Sequence, residues 1–145
     1  MNEKKDRVDD ALNATQAALS EGIVPGGGAA LLHARESLSP KVSVGEKIVY
    51  QACGKPFEQI LVNAGYDVTE AKIIASQISN PWDGYNLVTN KIIDMRKEGI
   101  IDPTKVTRTA LENAASVAGT VLLTECVVVE EPREEVDNNP LNGMF

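Results

Sequence analysis

The sequence predicts a mainly α-helical chain with a few short β-strands, and three observations predict it. Apolar residues recur at helical spacing in several windows, most clearly over residues 4–20 and again after Asp102. Start and stop signals punctuate those windows: Ser43 to Glu46 and Asp102-Pro103 at starts, Gly22 and Gly65 at ends. Strand-like stretches are short and few, residues 85–88 and 126–129.

Taken in order, residues 4–20 form an amphipathic helix, with Val8, Ala11, Leu12, Thr15, Ala18 and Leu19 on one stripe. Gly22-Ile23-Val24-Pro25-Gly26-Gly27-Gly28 follows, and one proline with three successive glycines opposes helix. It reads as a flexible joint, after which the first helix is free of the rest of the chain, and it leads into a second helix over residues 29–36. Ser43-Val44-Gly45-Glu46 has the form of a capping box and starts a helix that runs to Cys53. Gly54-Lys55-Pro56 predicts a break, with a separate helix over residues 57–64 and another over 69–78. Asn80-Pro81-Trp82-Asp83-Gly84 is dense in turn residues. Residues 91–98 fit either regular structure. Asp102-Pro103 predicts Asp102 as N-cap and Pro103 as the first residue of a long helix. Val106, Ala110, Ala114, Val117, Val121 and Leu122 carry one face of it. Cys126-Val127-Val128-Val129 is β-branched and predicts a strand with no partner of its own length in the chain. The acidic, Asn- and Pro-containing end, residues 133–145, is expected to be a mobile tail.

Composition narrows the function. The 145 residues fit one domain or one and a fraction, and 43% hydrophobic with 24% charged residues is an ordinary globular balance. Aromatic residues make up only 4%, which leaves the core to Ala, Val, Ile and Leu. A net charge of -7 with no basic face opposes nucleic acid and anionic membrane surfaces as partners. No run of about 20 apolar residues is present to span a bilayer, and the first residues lack the apolar stretch of a signal peptide. Cys53 and Cys126 have no metal-ligand spacing and read as buried free thiols in a reducing compartment. The single histidine, His33, cannot build a metal cluster, so no metal site is expected in these residues.

Three features have both a structural and a chemical reading. Glycines before a helix let an anion approach unpaired N–H groups, yet the run matches neither the P-loop nor the dinucleotide spacing, and taken alone it reads sooner as a plain hinge than as a phosphate site. Asp9 and Asp10 are adjacent carboxylates on a helix; solvation is the default reading, and the chemical one is that one of them positions a water for attack on phosphorus. Asp102 caps a helix and, as a carboxylate, can accept hydrogen bonds from a ribose. Trp82 and Tyr85 suit a core or a pocket wall.

Four stretches in one order carry a resemblance: Glu3-Lys4-Lys5-Asp6-Arg7-Val8-Asp9-Asp10-Ala11-Leu12, the Gly22 to Gly28 run, Gly99-Ile100-Ile101-Asp102-Pro103-Thr104-Lys105-Val106-Thr107-Arg108 and Ala114-Ala115-Ser116-Val117-Ala118-Gly119. Over residues 1–132 the chain resembles the C-terminal third of group I chaperonins, the GroEL and 60 kDa heat-shock proteins. The resemblance implies an intermediate-domain segment at residues 1–20, the C-terminal half of the equatorial ATP-binding domain at 21–132, and a hinge near Gly22 to Gly26. It implies Asp10 as the carboxylate that assists hydrolysis. Gly26 and Gly27 would lie beside the nucleotide, Ile60, Asn86, Leu87, Val88 and Ile100 around the base, and Asp102 on the ribose. The cofactor implied is ATP with magnesium.

The family's Gly-Asp-Gly-Thr-Thr-Thr loop, with its metal-binding Asp, is not in these 145 residues. The chain therefore reads as part of a longer subunit and is expected to turn over no ATP alone. The parent would form a homo-oligomeric double ring in a bacterial cytoplasm or an organellar matrix, and would meet a co-chaperonin and unfolded polypeptide through other domains. The alternative is a non-enzymatic assembly module. An unrelated nucleotide enzyme would need its own phosphate loop. Leu87 and Val88 depart from the small residues of many relatives, as Glu58 and Asp67 do from an oppositely charged pair, and residues 138–145 keep only a trace of the Gly-Gly-Met repeat.

Overall fold

The structure, a computed structural model, describes residues 2–38 and 43–130; the expected tail at 133–145 lies outside the described residues. Helix α1 (Asn2–Glu21) ends at Gly22, whose N–H donates to the Ala18 carbonyl and whose φ is 83°. The expected loose joint is instead a short strand, β1 (Ile23–Pro25), followed by the glycine turn and α2 (Ala29–Ala34) with a 3-10 turn at Arg35–Ser37. Gly27 and Gly28 have φ of 63° and 78°, and a Cβ on Gly28 would sit 2.8 Å from the Phe57 nitrogen. The run is thus held rigid by close backbone packing that only glycine permits.

Helix α3 (Val44–Asn63) starts on the Ser43 side chain, which accepts from the Glu46 N–H at 3.1 Å. It passes through Pro56 without ending, contrary to the break expected there. A proline removes one helix hydrogen bond, but Cys53, Gly54, Phe57 and Leu61 on both sides of it are buried on one face. That burial outweighs the lost bond. Helix α4 (Val68–Gln77) begins with a complete capping box, Asp67 with Glu70. Strands β2 (Asp83–Asn86) and β3 (Lys91–Asp94) form an antiparallel hairpin, and β4 (Ile101–Pro103) pairs antiparallel with β1, Val24 opposite Asp102. Helix α5 (Thr104–Leu122) follows directly.

Asp102 is therefore a strand residue and not the N-cap; Pro103 holds that position with no side-chain cap. The pairing with β1 draws Asp102 into extended backbone and moves the helix start one residue on. The strand expected at 126–129 does not form: Val127, Val128 and Val129 are exposed by 77%, 94% and 78% and pair with no described residue. A β-branched run without a neighbour has no ladder to join. Cys53 is buried, as expected, while Cys126 is exposed.

The core sits where α2, α3 and α4 meet, around Leu32, Phe57, Leu61, Ala71 and Ala75, with Tyr66, Ile74, Tyr85 and Leu87 packed against it. Helix α1 packs on α5 and β4 and is not detached. Arg108 fixes it, donating to both Glu21 carboxylate oxygens at 2.7 and 3.0 Å while also holding Glu112. Its hydrogen bond holds the Glu21 carboxyl below the usual glutamate range. No helix among the described residues is long and apolar enough to cross a membrane.

Candidate functional site

The glycine turn, α3 and the β2–β3 hairpin converge on one cavity of about 230 Å³. Phe57, Ile60 and Leu61 form the wall from α3, where i, i+3 and i+4 share a face. Tyr85, Asn86, Leu87 and Val88 form the opposite wall from the hairpin, and Gly27, Met95 and Ile100 close it. Six of the nine site residues expected from sequence therefore line a single slot: Gly27, Ile60, Asn86, Leu87, Val88 and Ile100. Gly26 stands beside it, its N–H donating to the Ile100 carbonyl at 3.0 Å.

The slot is mostly apolar, and its polar groups are oriented. Asn86 Oδ1 accepts from the Val88 N–H at 2.8 Å and the Thr89 N–H at 3.3 Å. The turn thereby consumes the acceptor and leaves the amide NH₂ as the group able to meet a ligand. Met95 is 1% exposed, and a Cβ on Gly84 would meet its side chain at 2.6 Å, so Gly84 makes room for the slot floor. His33 is tied away, its Nε2 2.9 Å from the Asp83 carbonyl oxygen.

Asp102 lies apart from this slot. It lines a groove of about 310 Å³ with Ala14, Thr15 and Ala18 of α1. Its carboxylate makes no hydrogen bond or ion pair among the described residues, and burial pushes its carboxyl above the ordinary aspartate value. Ile100 and Asp102 are two residues apart on one chain segment, so slot and groove are neighbours along it. Asp10 is exposed on α1 and lines neither. It does share a stripe with Ala14 and Ala18 at i, i+4 spacing, which places it roughly 6 Å further along the helix axis from the groove wall.

Phe57, Leu61 and Met95 belong to the slot and were not expected there. For Phe57 and Leu61 a signal existed, their helical spacing to Ile60. For Met95 it was only the opposing Gly84. Among the described residues no group of three or more His, Cys, Asp or Glu could hold a metal ion.

The model of the TCP-1/cpn60 chaperonin family matches residues 1–132. Among solved structures, a group III chaperonin in the open state is similar over 77% of this chain and 25% of its own, at 29% identity and a TM-score of 0.63. The chain thus spans about a quarter of the length of that relative.

Proposed function

This chain belongs to the TCP-1/cpn60 chaperonin family, and from that membership we propose that it supplies the base and ribose side of an ATP site in a chaperonin subunit of the group I kind. The carrying observation is the gathering of Gly27, Ile60, Asn86, Leu87, Val88 and Ile100 from four separated segments around one slot. Whole-ligand pockets run to roughly 300–1,000 Å³, so a smaller slot suits one ring system more than an entire nucleotide. Apolar walls fit the faces of a purine, and the Asn86 amide fits an acceptor on its edge. Asp102, a half-buried carboxylate with no partner among the described residues, fits the hydroxyls of a ribose.

ATP, when bound, brings the phosphoanhydride whose hydrolysis drives the subunit. This chain's residues would hold the base, orient the sugar and exclude water from the slot. Asp10 would accept a proton from the attacking water. Magnesium ligands are expected from another part of the subunit, since the described residues offer none in a cluster. The Asp102-Pro103-Thr104-Lys105-Val106-Thr107-Arg108 run favours group I. The reading extends to a homo-oligomeric double ring, with co-chaperonin and unfolded polypeptide met by other domains, in a bacterial cytoplasm or an organellar matrix.

A second reading, a non-enzymatic assembly module, is favoured by Val127 to Val129, exposed and unpaired among the described residues. Such a segment is a template for pairing with another chain.

Calorimetric titration of the chain with ATP tests the main reading. The wild-type chain takes up ATP, and Ile100→Asp, which puts a charge into the slot, abolishes uptake. A wild-type chain that binds no adenine nucleotide at millimolar concentration sinks it.

A further inference from the structure

The hairpin wall of the slot is not held by its own strands alone. The β2–β3 turn, residues 87–90, carries Leu87 and Val88, and it ends on Asn90, the one non-glycine residue with positive φ (53°) among the described residues. Asparagine tolerates that conformation better than most residues, and here its side chain is also held from outside the turn. That hold comes from across the slot. Tyr66 follows α3 directly after Gly65, and its N–H donates back to the Leu61 carbonyl at 3.1 Å. Its ring meets Tyr85 edge-on, with centroids 5.8 Å apart and planes at 88°.

The hydroxyl protons have one consistent order. Tyr66 donates to Asn90 Oδ1 at 2.9 Å, and the Tyr66 and Tyr85 oxygens are 3.0 Å apart. A hydroxyl has one proton, so Tyr85 donates to Tyr66 and Tyr66 donates to Asn90. Each bond in such a chain polarises the next. The hydrogen bond to Tyr66, more than burial, raises the Tyr85 phenol above its ordinary range. Tyr66 itself does not line the slot.

We propose that Tyr66 is a positioning residue that sets the width of the base slot, by tying the α3 wall to the hairpin wall through Tyr85 and Asn90. This rests on the reading of the slot as a base site. Losing the tie frees the turn to leave its αL end, and Leu87 and Val88 drift from the distance that grips a planar ring.

The test is adenosine, a probe with base and sugar but no phosphate, titrated into the full chain and followed by NMR. Tyr66→Phe keeps the ring and removes both hydroxyl bonds. It should weaken adenosine about 3- to 10-fold, the range expected for neutral hydrogen bonds. Amide exchange should rise at Val88, Thr89 and Asn90 while α3 and α5 stay protected. Asn90→Gly, which keeps the backbone conformation but removes the acceptor, should weaken binding in the same direction. Asn90→Asp, which keeps an acceptor, should restore it. Unchanged adenosine affinity in Tyr66→Phe overturns the proposal and leaves the base site standing. A uniform loss of protection across the chain in Tyr66→Phe overturns it too, because the residue would then be general core support. If wild-type protein takes up no adenosine, the base site fails and this inference fails with it.

Discussion

Asp102 shows how one residue serves two demands that conflict. As a helix cap it would be hydrogen-bonded and stabilising; as a strand residue opposite Val24 it is half-buried and has no partner among the described residues. Burial raises its folded pKa, so the native state holds the proton more tightly than the unfolded state does. Its contribution to stability is therefore greatest in acid and is lost as pH rises from the ordinary aspartate range through the raised value. Asp102→Asn should leave stability near pH 3 unchanged and raise it at pH 7, as read by urea unfolding at both. If Asp102 holds a ribose as proposed, nucleotide affinity should fall in the same variant, because a charged two-oxygen acceptor is exchanged for one neutral amide oxygen. A variant that is less stable at pH 7 would contradict this account of the carboxylate. From sequence, Asp102-Pro103 looked like a cap because local signals favour one; the pairing that overrides it comes from β1, some 80 residues earlier, and local pattern cannot carry that.

Between elements, the first helix is the informative case. Glycines after Gly22 suggested freedom, yet the run is packed against Phe57 and the Ile100 backbone, and α1 is clamped to α5 by Arg108. Glu21 titrates below the usual range, so the clamp is at full strength above that range and is lost as pH falls through the lowered value. Arg108→Ala should lower the melting temperature by a few degrees and speed amide exchange in α1 while sparing α3. High salt should reproduce part of the effect. Equal protection of α1 in wild type and variant would show that apolar packing alone holds the helix. The same scale explains what else was legible. Capped and periodic helices were readable, and the 4–20 and long C-terminal helices stand nearly where expected. Pro56 misled because side-chain burial on both sides of it is a tertiary effect. The β2–β3 hairpin was half seen because its strands are short and half-buried, with no clean alternation. Of the slot, Gly27, Ile60, Asn86, Leu87, Val88 and Ile100 were expected by resemblance, whereas Met95 in its floor and Tyr66 behind its wall emerge only once the hairpin folds against α3.

For the whole molecule, the dominant feature is uncovered apolar surface. Helix α5 buries none of its residues; Val117, Val121 and Leu122 are 63%, 66% and 85% exposed, and the valines at 127–129 are exposed as well. Patches of this kind mark association surfaces. The chain should self-associate in sedimentation, and Val128→Asp should shift it toward monomer without altering adenosine uptake, since Val128 is exposed and lines no part of the slot. A monomeric wild-type chain at high concentration would show that the surface is tolerated in water.

The claim on which the rest depends is that the slot between α3 and the β2–β3 hairpin holds a purine. Intermolecular NOEs between adenine protons and the methyl groups of the ¹³C-labelled chain measure it directly. The account predicts contacts to Ile60, Leu87 and Ile100 together. Contacts confined to the exposed face of α5, or none at any nucleotide concentration, would contradict it.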